Sequence, residues 1–212
     1  GESDTNEAWV EISGFPSLNL SKHIDYLVRY PHGCIEQTTS AALPQLFLEN
    51  LTELTADQKL EIDDNVRVAL GKLPSFQLSD GGFGYWPGSR YVNEWGTNYA
   101  GHFILQAANK GYSIPIGMKE DWLKYQKTAA RNWSAKQGYK NGVYYRNYDF
   151  IQAYRLYTLA LAGSPDLGAM NRLREKSDKT IEVTWRLAAA YVLAGQPEAA
   201  EQMVNRLSTE IK

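Results

Sequence analysis

The only cysteine of the chain, Cys34, lies three residues before a glutamine, Gln37. On the first turn of a helix, residues i and i+3 share one face, so the Cys34 thiol can reach the Gln37 side-chain amide. Attack of the thiolate on the amide carbonyl carbon, with loss of ammonia, would close an internal thioester. Such a bond is a stored acyl electrophile, because a thiolate leaves more readily than an alkoxide or an amide nitrogen.

The residues around this pair favour a sharp turn into a helix that begins at Cys34. Gly33 gives the backbone freedom to turn, and Pro31 restricts the approach. The free N–H groups and the dipole at the start of a helix also favour a thiolate. For Glu36, the same positive helix end favours a structural role over an acid–base role.

The segment Pro-His-Gly-Cys-Ile-Glu-Gln at residues 31–37 resembles the Pro-x-Gly-Cys-x-Glu-Gln signature of the thioester domains of α2-macroglobulins and complement proteins. Residues 80–88 and 95–99 are similar to the bacterial branch of this family. The resemblance spans residues 17–212 and implies a thioester between Cys34 and Gln37. It implies that Pro31, Gly33 and Glu36 support the motif.

The resemblance also implies a function. Members of this family are endopeptidase inhibitors and not enzymes, so the chain is expected to trap a protease or another nucleophile-bearing protein covalently, through a lysine. Neighbouring domains of a longer parent protein, a bait region elsewhere in it, and a location in the periplasm or cell envelope are implied in the same way. No cofactor is expected.

Composition excludes several other classes of protein. The chain has 212 residues, 43% of them apolar and 22% charged, which is typical of one globular domain. Acidic and basic side chains number 24 and 22, and no basic block is present that would neutralise a phosphate backbone, so nucleic acid is not an expected partner. No apolar run is long enough to cross a bilayer. One cysteine and three scattered histidines give no metal-ligand spacing.

Apolar residues at helical spacing predict about nine helices. The first is expected over residues 18–30. The second should run from Cys34 past Leu48 with a kink at Pro44, and the third from an N-cap at Thr55 to Leu73. Later helices are predicted over 98–110, 120–136 and 150–162. Residues 155–165 are echoed by residues 186–197, each ending in Gly-x-Pro, which is typical of a repeated helical hairpin.

These patterns predict an all-α fold, an α/α toroid built from helical hairpins. Residues 1–16 are expected to be a short extended lead-in or a remnant of a neighbouring β module, and residues 17–212 the α/α-toroid thioester domain. Because the family's ring has more hairpins than this chain supplies, an incomplete ring is expected, either because the sequence is cut short at the C-terminus or because the ring is open. Its last hairpin should then expose Leu187, Tyr191 and Val192 in part.

Aromatic side chains are concentrated in and after the glycine-rich segment 77–88. They could fill the crowded axis of the toroid, which is the favoured interpretation. Alternatively, Tyr85, Trp86 and Tyr91 could shield the thioester from water.

The positions of the histidines bear on whether the thioester acylates hydroxyl groups or lysine amines. In complement-like relatives, a histidine far downstream of the cysteine first accepts the acyl group and then passes it to a hydroxyl. Here the last histidine, His102, lies in an apolar run that predicts a core position. His23 is expected on a solvated face, and His32 has no assigned role.

Two other functions remain open at this point. The chain could be an α/α-toroid enzyme or carbohydrate-binding domain that uses the aromatic loop around Phe83 to Trp86. It could also be a helical-repeat scaffold for protein contacts, with an inert Cys34.

Overall fold

The computed structural model describes residues 27–134 and 147–205, together with Leu207 and the strand residues 139–140 and 143–144. The described residues contain eight α-helices: α1 (Ile35–Gln45), α2 (Ala56–Lys72), α3 (Glu94–Asn109), α4 (Met118–Asn132), α5 (Asn147–Leu161), α6 (Leu167–Glu175), α7 (Ile181–Leu193) and α8 (Pro197–Val204). Two short 3₁₀-helices, Leu48–Asn50 and Leu73–Ser75, follow α1 and α2. The strands β1 (Tyr139–Lys140) and β2 (Val143–Tyr144) form one antiparallel pair. The predicted extended segment 1–16 and most of the predicted helix 18–30 lie outside the described residues.

The helices form two layers. Each odd-numbered helix contacts the next odd-numbered one, so that α1, α3, α5 and α7 form one continuous layer. Each even-numbered helix packs against the odd-numbered helix that precedes it. This order of successive α-hairpins is the predicted toroid arrangement, and it places the start of α1 beside the start of α3.

The predicted repeat is confirmed at the ends of α5 and α7. Gly163 and Gly195 both adopt positive φ values, +68° and +73°. After each, the next residue donates its N–H back to the helix, Ser164 to Leu159 and Gln196 to Tyr191, each at 2.9 Å. These are Schellman-type endings, in which a left-handed glycine closes the helix.

Two expectations about helix ends and burial are wrong. Helix α1 ends at Gln45 and is followed by a 3₁₀ turn, so Pro44 lies in its last turn and does not kink a longer helix. Leu187 and Tyr191 are buried against α5, α6 and α8 and are not partly exposed. Val192, on the opposite face of α7, is exposed as expected.

A buried polar network ties α3, α4 and α5 together. The Arg155 guanidinium, 3% exposed, donates to Glu94, to Gln126 Oε1 at 3.0 Å and to Gln152 Oε1 at 2.6 Å. Gln126 Nε2 donates in turn to Asn98 Oδ1 at 2.6 Å. Because a buried charge is costly without partners, this network fixes how the three helices pack on each other.

None of the described helices is long and apolar enough to cross a membrane.

Close packing of α3 on α4 leaves no room for a side chain at Gly101. A Cβ there would lie 2.0 Å from the ring of Trp122, which is fully buried and donates its indole N–H to Thr97 O at 2.9 Å. We expect Gly101→Ala to lower the free energy of unfolding by about 3 kcal/mol. At Gly71, an exposed position on α2, a Cβ meets nothing within 4 Å, so Gly71→Ala should instead raise the free energy of unfolding by about 1 kcal/mol. Urea unfolding of both variants checks this, and equal effects would contradict it.

Candidate functional site

Cys34 and Gln37 cap the start of α1 reciprocally. Cys34 is the N-cap residue with extended backbone, and its Sγ accepts the Gln37 N–H at 3.5 Å. The Gln37 side chain folds back, and its Oε1 accepts the Cys34 N–H at 3.1 Å. This is a capping box in which the usual serine or threonine is replaced by cysteine. The fold therefore brings the thiol and the amide carbonyl to the same helical turn.

Gly33 allows the Gln37 side chain to occupy this position. Its φ is +82°, in the left-handed region that favours glycine, and a Cβ there would lie 1.9 Å from Gln37 Oε1. The close approach of the Gln37 amide to the backbone thus depends on the absence of a side chain at residue 33. Glu36, also in the first turn, supplies a negative charge at the positive end of the helix.

The glycine-rich loop covers Cys34 from one side. The Ile35 N–H donates to Tyr85 O at 3.0 Å, and the neighbouring Cys34 thiol raises the pKa of the Tyr85 phenol. Cys34 is 2% exposed, whereas Gln37 is exposed. The protein therefore hides the sulfur and leaves the acyl side of the pair open.

The three predicted shielding residues differ in position. Tyr85 lies beside Cys34, since its carbonyl accepts the Ile35 N–H, and the Trp86 ring packs edge-on against the Tyr85 ring with centroids 5.5 Å apart. Tyr91 exposes 84% of its surface, so its ring can cover little of the pair within this chain. Phe83 is fully buried and packs in the core, whereas Tyr85, Trp86 and Tyr91 are exposed. The favoured interpretation, that the aromatic set fills the axis of the toroid, is therefore wrong for these three residues.

Two side chains that sequence reasoning did not single out hold the segment before Cys34. Lys72 Nζ, at the end of α2, donates to Pro31 O at 2.6 Å. The buried Gln45 donates its Nε2 to Arg29 O at 2.9 Å. A glutamine within an apolar run of the sequence is a signal that could have marked Gln45. The partner of Lys72 lies 41 residues away, and no local pattern marks it.

His102 lies among aromatic side chains between α3 and α5. Its Nδ1 is 3.0 Å from the Tyr154 hydroxyl, and its Nε2 is 3.4 Å from Gln106 Nε2. Burial, with a smaller contribution from the nearby Arg186 guanidinium, lowers the His102 pKa from its ordinary 6.5 to about 4. These contacts agree with the predicted core position.

The depressed pKa of His102 predicts a pH dependence of stability. Between about 6.5 and about 4, the unfolded chain binds a proton at this residue and the folded chain does not. The contribution of His102 to the free energy of unfolding is therefore complete above pH 6.5 and falls by up to about 3 kcal/mol as the pH drops towards 4. We expect His102→Gln to remove this part of the pH dependence. The exposed His32 is the control, and an identical loss in His32→Gln would contradict the assignment.

The ring of His32 packs at a tilt of 51° against that of Tyr30, with centroids 4.5 Å apart, and the His32 backbone carbonyl accepts from Thr38 Oγ1 at 3.5 Å. His23 lies outside the described residues. Across the parts of the chain that the structure describes, no three His, Cys, Asp or Glu side chains come together to hold a metal ion.

Comparison with known proteins decides the family. A sequence model described as the A-macroglobulin TED domain, or thioester domain, matches residues 10–164. The chain belongs to the A-macroglobulin TED-domain family. Within it, the chain is 34% identical to the α2-macroglobulin of Escherichia coli over 116 residues, 52% of this chain and 7% of that protein. It is 24% identical to the α2-macroglobulin of Rickettsia conorii over 211 residues, 94% of this chain and 11% of that protein.

Solved TED-family structures confirm the α/α-toroid fold. A crystal structure of Salmonella α2-macroglobulin reacted with methylamine matches 91% of this chain and 13% of that one, with a TM-score of 0.74 and 25% identity. Native E. coli α2-macroglobulin, from domain MG7 to the C-terminus, matches 91% of this chain and 31% of that one, with a TM-score of 0.71 and 23% identity. This chain therefore spans only about a tenth of the length of the α2-macroglobulins of E. coli and Rickettsia conorii.

Proposed function

We propose that Cys34 and Gln37 form an internal thioester, and that the chain is the thioester-bearing module of a bacterial α2-macroglobulin-like protease inhibitor. The reciprocal capping of the two residues carries the proposal. In forming the bond, the Cys34 sulfur attacks the Gln37 amide carbon, the C–N bond breaks, and ammonia leaves. Gly33 leaves space for the amide, while Pro31 and Glu36 support the turn and the first helical turn.

The stored acyl group would react once. A lysine amine of a captured protein attacks the Gln37 carbonyl, an amide bond forms, and the Cys34 thiolate leaves. Because the thioester is not regenerated, this is inhibition by covalent trapping and not enzymatic turnover. The buried sulfur and the exposed acyl side fit this role, since only the carbonyl has to meet the incoming amine.

The relatives support the chemistry and the partner class. The Salmonella protein has been reacted with methylamine, a small amine of the kind that opens a thioester. The E. coli protein has been activated by trypsin and by elastase. By this likeness, residues 17–212 form the thioester domain of a longer parent protein with neighbouring domains, and proteases cleave and are captured by that parent. The periplasm or cell envelope is the proposed location on family grounds.

Tyr85 and Trp86 are proposed to shield the bond on its sulfur side. The backbone of Tyr85 is bonded to Ile35, the residue after Cys34, and the Trp86 ring packs against the Tyr85 ring. Tyr91 is so exposed that any shielding by it requires a neighbouring domain that packs over it.

Trapping is tested directly with the parent protein and trypsin. After incubation at neutral pH, denaturing gel electrophoresis should show a conjugate that survives boiling in detergent. Trypsin should cleave the Cys34→Ser variant as it cleaves the wild type, but no conjugate should form. Equal conjugation by the variant would exclude Cys34 as the reactive residue.

A further inference from the structure

Residues 29–32, which lead into the reactive turn, belong to no helix or strand. Their path is set by side chains that reach them from α1 and α2. Gln45, 2% exposed, donates one amide N–H to Arg29 O and the other to Ala41 O, both at 2.9 Å. Asn65 on α2 donates to Gln45 Oε1 at 3.1 Å and so fixes the orientation of that amide. The first residue of the segment is therefore tied to the α1–α2 hairpin.

Lys72 ties the segment at Pro31, two residues before Gly33. Its ammonium donates to Pro31 O at 2.6 Å and lies 4.2 Å from the centroid of the Tyr30 ring. Within the described residues, no carboxylate pairs with Lys72. The half-buried charge is instead met by a carbonyl oxygen and an aromatic face, both supplied by the segment before the motif.

Lys59 on the same helix shows what an ordinary surface lysine does here. Its side chain is 51% exposed and pairs with the exposed Glu49 at 2.7 Å, far from the motif in sequence. The two lysines share a helix and a chemistry, but only Lys72 contacts the backbone of the reactive segment. Lys59 is therefore a matched control for the loss of one lysine from α2.

We propose, building on the proposed thioester, that Lys72 is a positioning residue for its formation and survival. By holding the Pro31 carbonyl, Lys72 keeps the turn at Gly33 in the left-handed conformation that lets Gln37 fold back onto Cys34. Without this contact the segment keeps only the hydrogen bond at Arg29 O and the longer one, 3.5 Å, from Thr38 Oγ1 to His32 O, and the Gly33 turn can open. The thiol and the amide then meet for a smaller fraction of the time.

A hydrogen bond from a charged donor is strong enough for a measurable effect: its loss should lower the population of the closed turn about tenfold. The variants are Lys72→Met, Lys59→Met as the control, and Lys72→Arg, which keeps a cationic donor. In the parent protein, the readout is the fraction of the Cys34–Gln37 peptide that lacks one ammonia. In the present chain, which needs no thioester for this purpose, the readouts are hydrogen exchange at the Cys34 amide and the rate of Cys34 alkylation by iodoacetamide.

We expect Lys72→Met to lower the thioester fraction and to speed exchange and alkylation at Cys34 by about tenfold, with Lys59→Met unchanged and Lys72→Arg restoring most of the loss. If the wild-type parent carries the bond and Lys72→Met leaves every readout unchanged, the positioning role is wrong and the proposed function stands. If the wild-type parent carries no bond, the proposed function fails, and exchange and alkylation alone decide whether Lys72 holds the turn. Faster exchange at all helices together would show a global effect and would also overturn the positioning role.

Discussion

Gly33→Ala is expected to abolish the thioester while leaving the domain folded. The added methyl group would lie 1.9 Å from Gln37 Oε1, and the glutamine side chain is flexible enough to move away. This movement prevents the thioester from forming, because the displaced Gln37 Oε1 belongs to the amide that has to react with Cys34. The remaining cost, an alanine at φ +82°, is only about 1 kcal/mol of the free energy of unfolding.

Gly111→Ala separates these two effects. Gly111 has a φ of +87°, but a Cβ there meets nothing within 4 Å. Both substitutions should therefore lower the free energy of unfolding by about 1 kcal/mol, whereas only Gly33→Ala should remove the bond. Peptide mass of the two parent variants, together with their urea unfolding curves, measures both quantities. A normal thioester fraction in Gly33→Ala would show that the Gln37 amide does not need the observed position.

The activated parent is expected to acylate amines in strong preference to hydroxyls. A neutral alcohol needs a general base or an acyl-imidazole intermediate, help that contributes about 10²- to 10⁴-fold. His102 is poorly placed to give it, because it faces α5 and both ring nitrogens lie near other side chains. His102 also lies six residues, or about 9 Å, further along α3 than Gly96, where α3 meets Ile35 of the motif.

A lysine amine needs less help, because the small neutral fraction at neutral pH is already strongly nucleophilic. Competition between methylamine and glycerol for the activated parent, read by mass, measures the preference. We expect methylamine adducts to predominate at equal concentrations of the two. Comparable glycerol labelling that disappears in His102→Ala would overturn both the preference and the core position of His102. His32→Ala is the companion variant, since His32 lies within the motif at residues 31–37.

The local part of the site could be predicted from the sequence because it depends on residues close together in the chain. An N-cap at Thr55, confirmed with Gln58 as its capping-box partner, and the Gly-x-Pro repeats were readable from short patterns. The spacing of Cys34 and Gln37 was readable in the same way, and the structure places both at one turn. Helix starts and ends are decided by a few neighbouring residues, and such signals survive without tertiary context.

The remaining features depend on contacts between distant residues. The exposure expected for Leu187 and Tyr191 was wrong because the pattern of α7 is apolar on more than one face, and only the packing of α5, α6 and α8 decides which face is covered. The ion pair of Arg155 with Glu94 and the contact of Lys72 with Pro31 join residues 61 and 41 positions apart. Sequence periodicity carries no information at those separations.

The mass of the reactive peptide shows whether the thioester is present. The native parent, with or without prior treatment with methylamine, is denatured in acid and digested. The mass of the peptide that contains residues 34–37 is then measured by mass spectrometry. We expect the peptide to be lighter by one ammonia before treatment. After treatment it should carry one methylamine on residue 37 and one newly titratable thiol at Cys34. A peptide of unmodified mass whose Cys34 thiol is already free in the native parent, and which takes up no methylamine, would contradict this expectation.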